Sequence, residues 1–200
     1  MVRAIIFDCF GVLATEGWLP FVEQHFPVGS PEYQHALDLS RATDSGLIDY
    51  DDFIHAVAEM TQTSEPDVRQ QIDHSVPNRR LCEYIKEKLK PSHKIGMLSN
   101  AGANLLLEIF DAQQIALFDS ICLSYAIGFV KPQREAYEYV SQQLGVENEA
   151  CIFIDDQQRH CEGARAVGMQ AIQYQSLGQL EEDLERLLSD SKDEPPVSSH

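Results

Sequence analysis

Four short stretches of this 200-residue sequence carry side chains whose types and spacing could do chemistry together. Asp8 follows the apolar run Ala4-Ile5-Ile6-Phe7, Ser99 and Asn100 follow Ile95-Gly96-Met97-Leu98, and Asp155 and Asp156 follow Cys151-Ile152-Phe153-Ile154. Lys131-Pro132 stands in a loop ahead of a helical pattern. Three carboxylates brought close repel one another unless a cation lies between them. A hard cation with oxygen ligands relieves that repulsion, and Mg²⁺ sites typically combine one or two carboxylates with substrate phosphate. An ammonium and a hydroxyl would add a positive charge and a donor for phosphate oxygens. The strand-end aspartate can itself be the nucleophile, since carboxylates form acyl phosphates in phosphoryl transfer. Residue types alone therefore read as a Mg²⁺-dependent phosphoryl-transfer site.

Such residues meet only if the chain lines up the ends of its strands. The apolar runs are continuous rather than alternating, and two more occur at Ile121-Cys122-Leu123 and Ala171-Ile172. That pattern suits strands covered on both faces, as in a parallel sheet. Helical patterns separate the runs: one around 102–114 with Leu105, Leu106, Ile109 and Phe110, and one around 134–144 with Tyr137, Val140 and Leu144. A last helix carries Leu177, Leu180, Leu184, Leu187 and Leu188 behind a Ser176-x-x-Gln179 capping box. Strand alternating with helix implies an α/β fold, a doubly wound parallel sheet. In such sheets ligands bind beyond the carboxyl ends of the strands, where the polar residues stand.

The net charge of −17 is unevenly placed. Residues 14–78 carry twelve acids and two bases, and residues 181–200 carry seven acids and two bases. In the first section four helical patterns fit and no strand does, which predicts a helical bundle, a cap, inserted between residues 1–13 and 79–188 of the α/β core. Ser30-Pro31, Asp49 and Ser64-x-x-Asp67 supply the helix starts there. Trp18, beside Leu19, Phe21 and Val22, reads as core of the bundle. Residues 189–200, polar with two prolines, are expected to form a disordered tail. The acid excess argues against nucleic acid, whose binding needs Lys and Arg on phosphates, and against an anionic membrane surface. No stretch approaches a spanning helix, and the first residues lack signal-peptide architecture. Five cysteines with no CxxC pair argue against a disulfide framework and a zinc site, and point to a reduced, cytoplasmic setting.

The order Asp8, Ser99, Lys131-Pro132, Asp155-Asp156 resembles the four motifs of the haloacid dehalogenase-like hydrolases, in the phosphatase-like subgroup with a helical cap after the first strand. IIFDCFGVL looks like the first motif, MLSN the second, VKPQREAY the third and FIDDQQRHCEGARAVGM the fourth. The resemblance implies Asp8 as nucleophile and metal ligand, with Ser99 and Asn100 holding the phosphoryl group. Lys131 would stabilise nucleophile and phosphate, and Asp156, helped by Asp155, would hold Mg²⁺. The backbone carbonyl of Phe10 would complete the metal shell.

Phe10 also departs from the family pattern. Phosphatases of the family usually carry there a second aspartate that protonates the leaving group and then activates water. Losing a general acid/base typically costs roughly 10²–10⁴-fold in rate, so substrates with good leaving groups, such as sugar 1-phosphates, are expected to fare best. His160 stands where relatives with an Asp-Asp fourth motif often have Asn. Three functions follow: a Mg²⁺-dependent phosphatase of small phosphorylated metabolites, a 2-haloacid dehalogenase using the same aspartate on carbon without metal, or a catalytically weak relative that binds a phosphometabolite or a protein partner.

Overall fold

The computed structural model describes residues 1–190. Five parallel strands form one sheet in the order β3-β2-β1-β4-β5: β1 Ala4–Phe7, β2 Lys94–Ser99, β3 Ser120–Leu123, β4 Cys151–Asp155 and β5 Gln170–Gln173. The first strand lies in the middle; β2 and β3 build outward on one side of it, β4 and β5 on the other. Strand order reverses around β1, and that reversal opens the crevice in which such sheets bind ligands. Ile5, Phe7, Met97, Ile152 and Ile154 feed one apolar layer, together with helices α5 (Arg79–Tyr84) and α11 (Leu177–Asp190). Ala4, Ile6, Leu98 and Phe153 feed the opposite layer, with α9 (Arg134–Leu144) and α10 (Gln158–Ala166). Burial on both faces is what made these strands read as unbroken apolar runs.

Between β1 and α5 stand four helices: α1 Trp18–His25, α2 Pro31–Asp44, α3 Tyr50–Thr61 and α4 Glu65–Ile72. Ser30, Asp49 and Ser64 cap the last three, each side chain accepting a first-turn backbone N–H. The four share an apolar core of their own, which includes Phe21, Val22, Phe53, Ile54, Val57 and Val68. Trp18 packs edge-on against Phe53, with ring centroids 5.0 Å apart.

Three local readings need correction. The segment 102–114 is not one helix. It divides into α6 (Leu106–Ile109) and α7 (Ala112–Ile115), because Asp111 adopts extended backbone and starts a new helix with a full capping box to Gln114. The box before α11 is half formed: the Gln179 backbone N–H donates to Ser176 Oγ, but the Gln179 side chain accepts from the N–H of Gln175, one residue too early. Helix α11 also continues through Ser189 to Asp190, into the segment read as tail, and the remaining tail residues 191–200 lie outside the described residues.

Candidate active site

Register brings the strand-end residues together. Phe7 of β1 pairs with Met97 of β2 on one side and with Ile154 of β4 on the other. The next residue, Asp8, therefore stands level with Asp155 across one neighbour, and Ser99 ends the other. Asp8, Ser99, Lys131 and Asp155 are all buried. The Lys131 ammonium lies 2.7 Å from Asp8 Oδ1 and 2.7 Å from Asp155 Oδ2. One lysine thus bridges two of the three predicted acids.

The amide of Asn100 explains how a loop lysine reaches this depth. Its Nδ2 donates to the Lys131 carbonyl at 3.0 Å, and its Oδ1 accepts the Lys131 N–H at 2.8 Å. Asn100 clamps the lysine's own peptide unit, a task that a phosphate-holding residue did not require. Ser99 Oγ lies 3.4 Å from the Asn100 carbonyl, a long contact that leaves the hydroxyl able to turn toward a ligand.

Asp155 is fully engaged. Its carboxylate accepts from Lys131, from the Gln157 backbone N–H at 2.9 Å and from His160 Nδ1 at 3.0 Å. Burial opposes its ionised form, yet the Lys131 ammonium and the His160 ring hold its carboxyl well below the usual carboxylate range. Burial, and Lys131 nearby, lower the His160 pKa, and its Nδ1, facing a carboxylate, is the donor to Asp155. His160 Nε2 is buried without a hydrogen-bond partner among the described residues. Burial likewise opposes the charge on Lys131, but its two carboxylate neighbours outweigh that and raise its pKa.

Asp8 and Asp156 face the opposite balance. Burial, then repulsion from Asp155 and Asp156 against the pull of Lys131, raises the Asp8 pKa well above its ordinary value. Burial and Asp155 raise that of Asp156 in the same direction. One ammonium cannot balance three acids, so ionising all three calls for a further positive charge. Uncommitted oxygens mark where it would sit. Asp8 Oδ1 is held by the Cys9 N–H at 2.7 Å and by Lys131, whereas no group of the described residues donates to Oδ2. Asp156 Oδ1 is buried with no partner, and the Phe10 carbonyl accepts no hydrogen bond among the described residues. Gly11 leaves room for them: at φ +85° it turns the loop, and a Cβ there would come within 2.6 Å of Asp156 Oδ2. Asp8, Asp155 and His160 also present possible ligand atoms within 4.8 Å of one another. Lys131 already occupies the space between those two carboxylates, so oxygens of Asp8, Asp156 and Phe10 are the better fit for a hard divalent cation.

The side chain of Phe10 packs against the layer that contains Phe7 and Met97, and so brings no acid to the crevice. Trp18 joins the helical core, but its indole N–H is buried without a partner among the described residues. Ser124, the first residue of the short helix α8 (Ser124–Ile127), escaped the sequence reading. Its buried hydroxyl accepts the Ala101 N–H at 3.0 Å and donates to the Asp44 carbonyl at 2.6 Å, tying the end of α2 to the loop after β2. The signal that could have found it is its place directly after the apolar run Ile121-Cys122-Leu123, the pattern that marks the other strand-end residues.

The parallel sheet carries carboxylates at its central strand ends with a buried lysine between them, and the family match agrees with that arrangement. The haloacid dehalogenase-like hydrolase family matches residues 2–168, and the chain belongs to that family. It is similar to the phosphatase MT3486 of Mycobacterium tuberculosis (strain CDC 1551 / Oshkosh), with 34% identity over 109 residues. That match covers 52% of this chain and 49% of the relative, so the chain spans about half the length of the curated relative it matches. Among solved structures, a HAD family enzyme from Bacteroides thetaiotaomicron, in complex with magnesium and inorganic phosphate, has a TM-score of 0.72 at 18% identity, covering 90% of this chain and 99% of that one. The L-2-haloacid dehalogenase of Xanthobacter autotrophicus has a TM-score of 0.64 at 20% identity, covering 93% and 83%. At these identities the solved structures speak for the fold.

Proposed function

We propose that this chain is a Mg²⁺-dependent phosphatase of small phosphorylated metabolites that works through an aspartyl-phosphate on Asp8. The observation that carries the reading is the division of labour among the acids. Asp155 is spent on Lys131, while Asp8 Oδ2 and Asp156 Oδ1 bond to nothing of the described chain. The phosphatase name of the relative matched over about half its length and the magnesium and phosphate held by the solved family member support the same class.

In this mechanism Lys131, fixed by Asn100 and Asp155, binds a phosphate oxygen and favours the ionised form of Asp8, which a bound cation would complete. Ser99 donates to a second phosphate oxygen. Asp8, oriented by the Cys9 N–H, attacks phosphorus, and water then releases phosphate and regenerates the carboxylate. Mg²⁺ held by Asp8, Asp156 and the Phe10 carbonyl, when bound, supplies Lewis-acid neutralisation of the phosphate charge. The helices of residues 18–72 serve as the cap that closes the crevice, and their acid-rich surface disfavours polyanionic substrates. A cytoplasmic setting fits five unpaired, buried thiols, and no helix of the described residues is long and apolar enough to cross a membrane.

A panel of phosphate esters assayed with Mg²⁺ and with EDTA tests this. Turnover abolished by EDTA and restored by Mg²⁺ is the expected result. Dehalogenation of 2-haloacids that EDTA leaves untouched would favour the metal-free alternative, which gives Asp156 no task. No turnover, with binding of a phosphometabolite alone, would favour the catalytically weak one.

A further inference from the structure

The family's usual second acid is absent from the β1 loop, where Phe10 turns into the core. The helical unit and the segments that enter and leave it offer three acids near the crevice or its seam, Glu16, Asp44 and Asp73, and two are committed. Glu16 accepts the Trp18 and Leu19 backbone N–H groups at the start of α1, and Asp73 accepts the Tyr50 hydroxyl. The third, Asp44, is the last residue of α2. It is half-buried, and no donor of the described residues bonds its carboxylate.

Its place is fixed from two sides. The Asp44 carbonyl accepts Ser124 Oγ at 2.6 Å, and Ser124 in turn holds the N–H of Ala101, the residue after the lysine-clamping Asn100. One residue earlier, Thr43 lies so close to the loop after β2 that a Cβ at Gly102 would come within 2.4 Å of its Cγ2. The end of α2 is thereby seated on the loop that carries Ser99 and Asn100. After burial, the influence on the Asp44 carboxyl is the charge of Lys131, the ammonium at the floor of the crevice. An acid at the negative end of a helix, without a partner, is poorly suited to be a permanent charge.

We propose that Asp44 is the general acid of this active site, delivering from the helical unit the proton that the residue at position 10 cannot. The inference rests on the phosphatase reading. As the Asp8 carboxylate forms its bond to phosphorus, the bond from phosphorus to the ester oxygen breaks, and that oxygen takes the proton of the Asp44 carboxylic acid and leaves as the alcohol. The Asp44 carboxylate then takes a proton from the water that attacks the aspartyl-phosphate. Its P–O bond to Asp8 breaks, phosphate departs, and both side chains return to their starting states. Burial raises the Asp44 pKa from the ordinary 3.8 to about 7, in the range where an acid both holds and yields its proton near neutrality.

The test compares kcat/KM for p-nitrophenyl phosphate, whose leaving group departs unprotonated, with that for glycerol phosphate, a primary alkyl ester whose leaving group needs the proton. Asp44→Asn and Asp44→Ser are measured in parallel with wild type, with thermal unfolding as the check on fold. The expected result is a loss of about 10²-fold or more on the alkyl ester and under about threefold on the aryl ester, with Asp44→Glu regaining part of the alkyl activity. Equal losses on both esters, or no loss on either, overturn the proposal while leaving the phosphatase reading intact. A wild-type enzyme inert toward both esters in Mg²⁺ overturns the phosphatase reading, and this inference with it.

Discussion

Two regions of the molecule use the same charged residue types to opposite ends. On the surface of the helical unit, Arg41 pairs with Asp38, Arg69 with Asp51 and His55 with Glu65, every partner more than a third exposed. At the floor of the crevice, Lys131 pairs with Asp8 and Asp155, with side-chain exposures of 0%, 6% and 0%. Water screens the first set, and such pairs contribute about 0–1 kcal/mol each. It cannot screen the second, where each charge depends on its partner. Charge on the outside sets solubility and repulsion; charge on the inside is kept because chemistry requires it. The sequence total of −17 conceals this difference.

Breaking the inner set should have the largest effect. Lys131→Ala leaves Asp8 and Asp155 buried without their common cation. The expected loss is about 3–5 kcal/mol of stability, roughly 2–4 °C in Tm for each kcal/mol. Adding Asp8→Asn and Asp155→Asn to that variant should recover part of the loss in thermal unfolding; no recovery would mean the lysine stabilises by packing rather than charge. Gly11→Ala comes next. Its positive φ and the close approach to Asp156 should cost about 1–3 kcal/mol, and Mg²⁺ affinity measured by calorimetry should fall about tenfold.

Asp44 sharpens the contrast, because it lies between the two environments. Its folded pKa is raised, so the stability tied to its protonated form is complete below its unfolded value near 4 and lost as pH rises through about 7. Asp44→Asn, which cannot ionise, should therefore gain on wild type between pH 4 and 7, reaching about 1–2 kcal/mol in denaturant titrations. A pH-independent difference would put the carboxylate in open solvent. The smallest effect belongs to the surface: Arg41→Ala should change stability by less than about 0.5 kcal/mol, and less still at high salt. A larger loss would show that the outer pairs are also structural.

How much was legible in the sequence follows the same boundary. The five strands could be read because burial on both faces demands unbroken apolar runs such as Cys151-Ile152-Phe153-Ile154. The acids at their ends could be read because a polar residue directly after such a run must face the crevice. The break at Asp111 could not, since Leu106, Ile109 and Phe110 keep a helical spacing that says nothing of where the backbone turns. Asn100 was read as a phosphate holder, and its clamp on Lys131 depends on a contact 31 residues away. Asp44 was hidden among twelve acids of one section, and only the tertiary seam with Ser124 and Gly102 distinguishes it from its solvated neighbours.

The central claim is that Asp8 is a nucleophile made competent by a shared lysine and a metal. Acid-quenched mass spectrometry of the enzyme turning over a phosphate ester in Mg²⁺, beside steady-state assays of Asp8→Asn, tests it most directly. The account predicts a phosphoryl adduct on the peptide that carries Asp8, lost with EDTA, and at least about a thousandfold loss of turnover in Asp8→Asn. Undiminished turnover in Asp8→Asn, or an adduct on another residue, would contradict it.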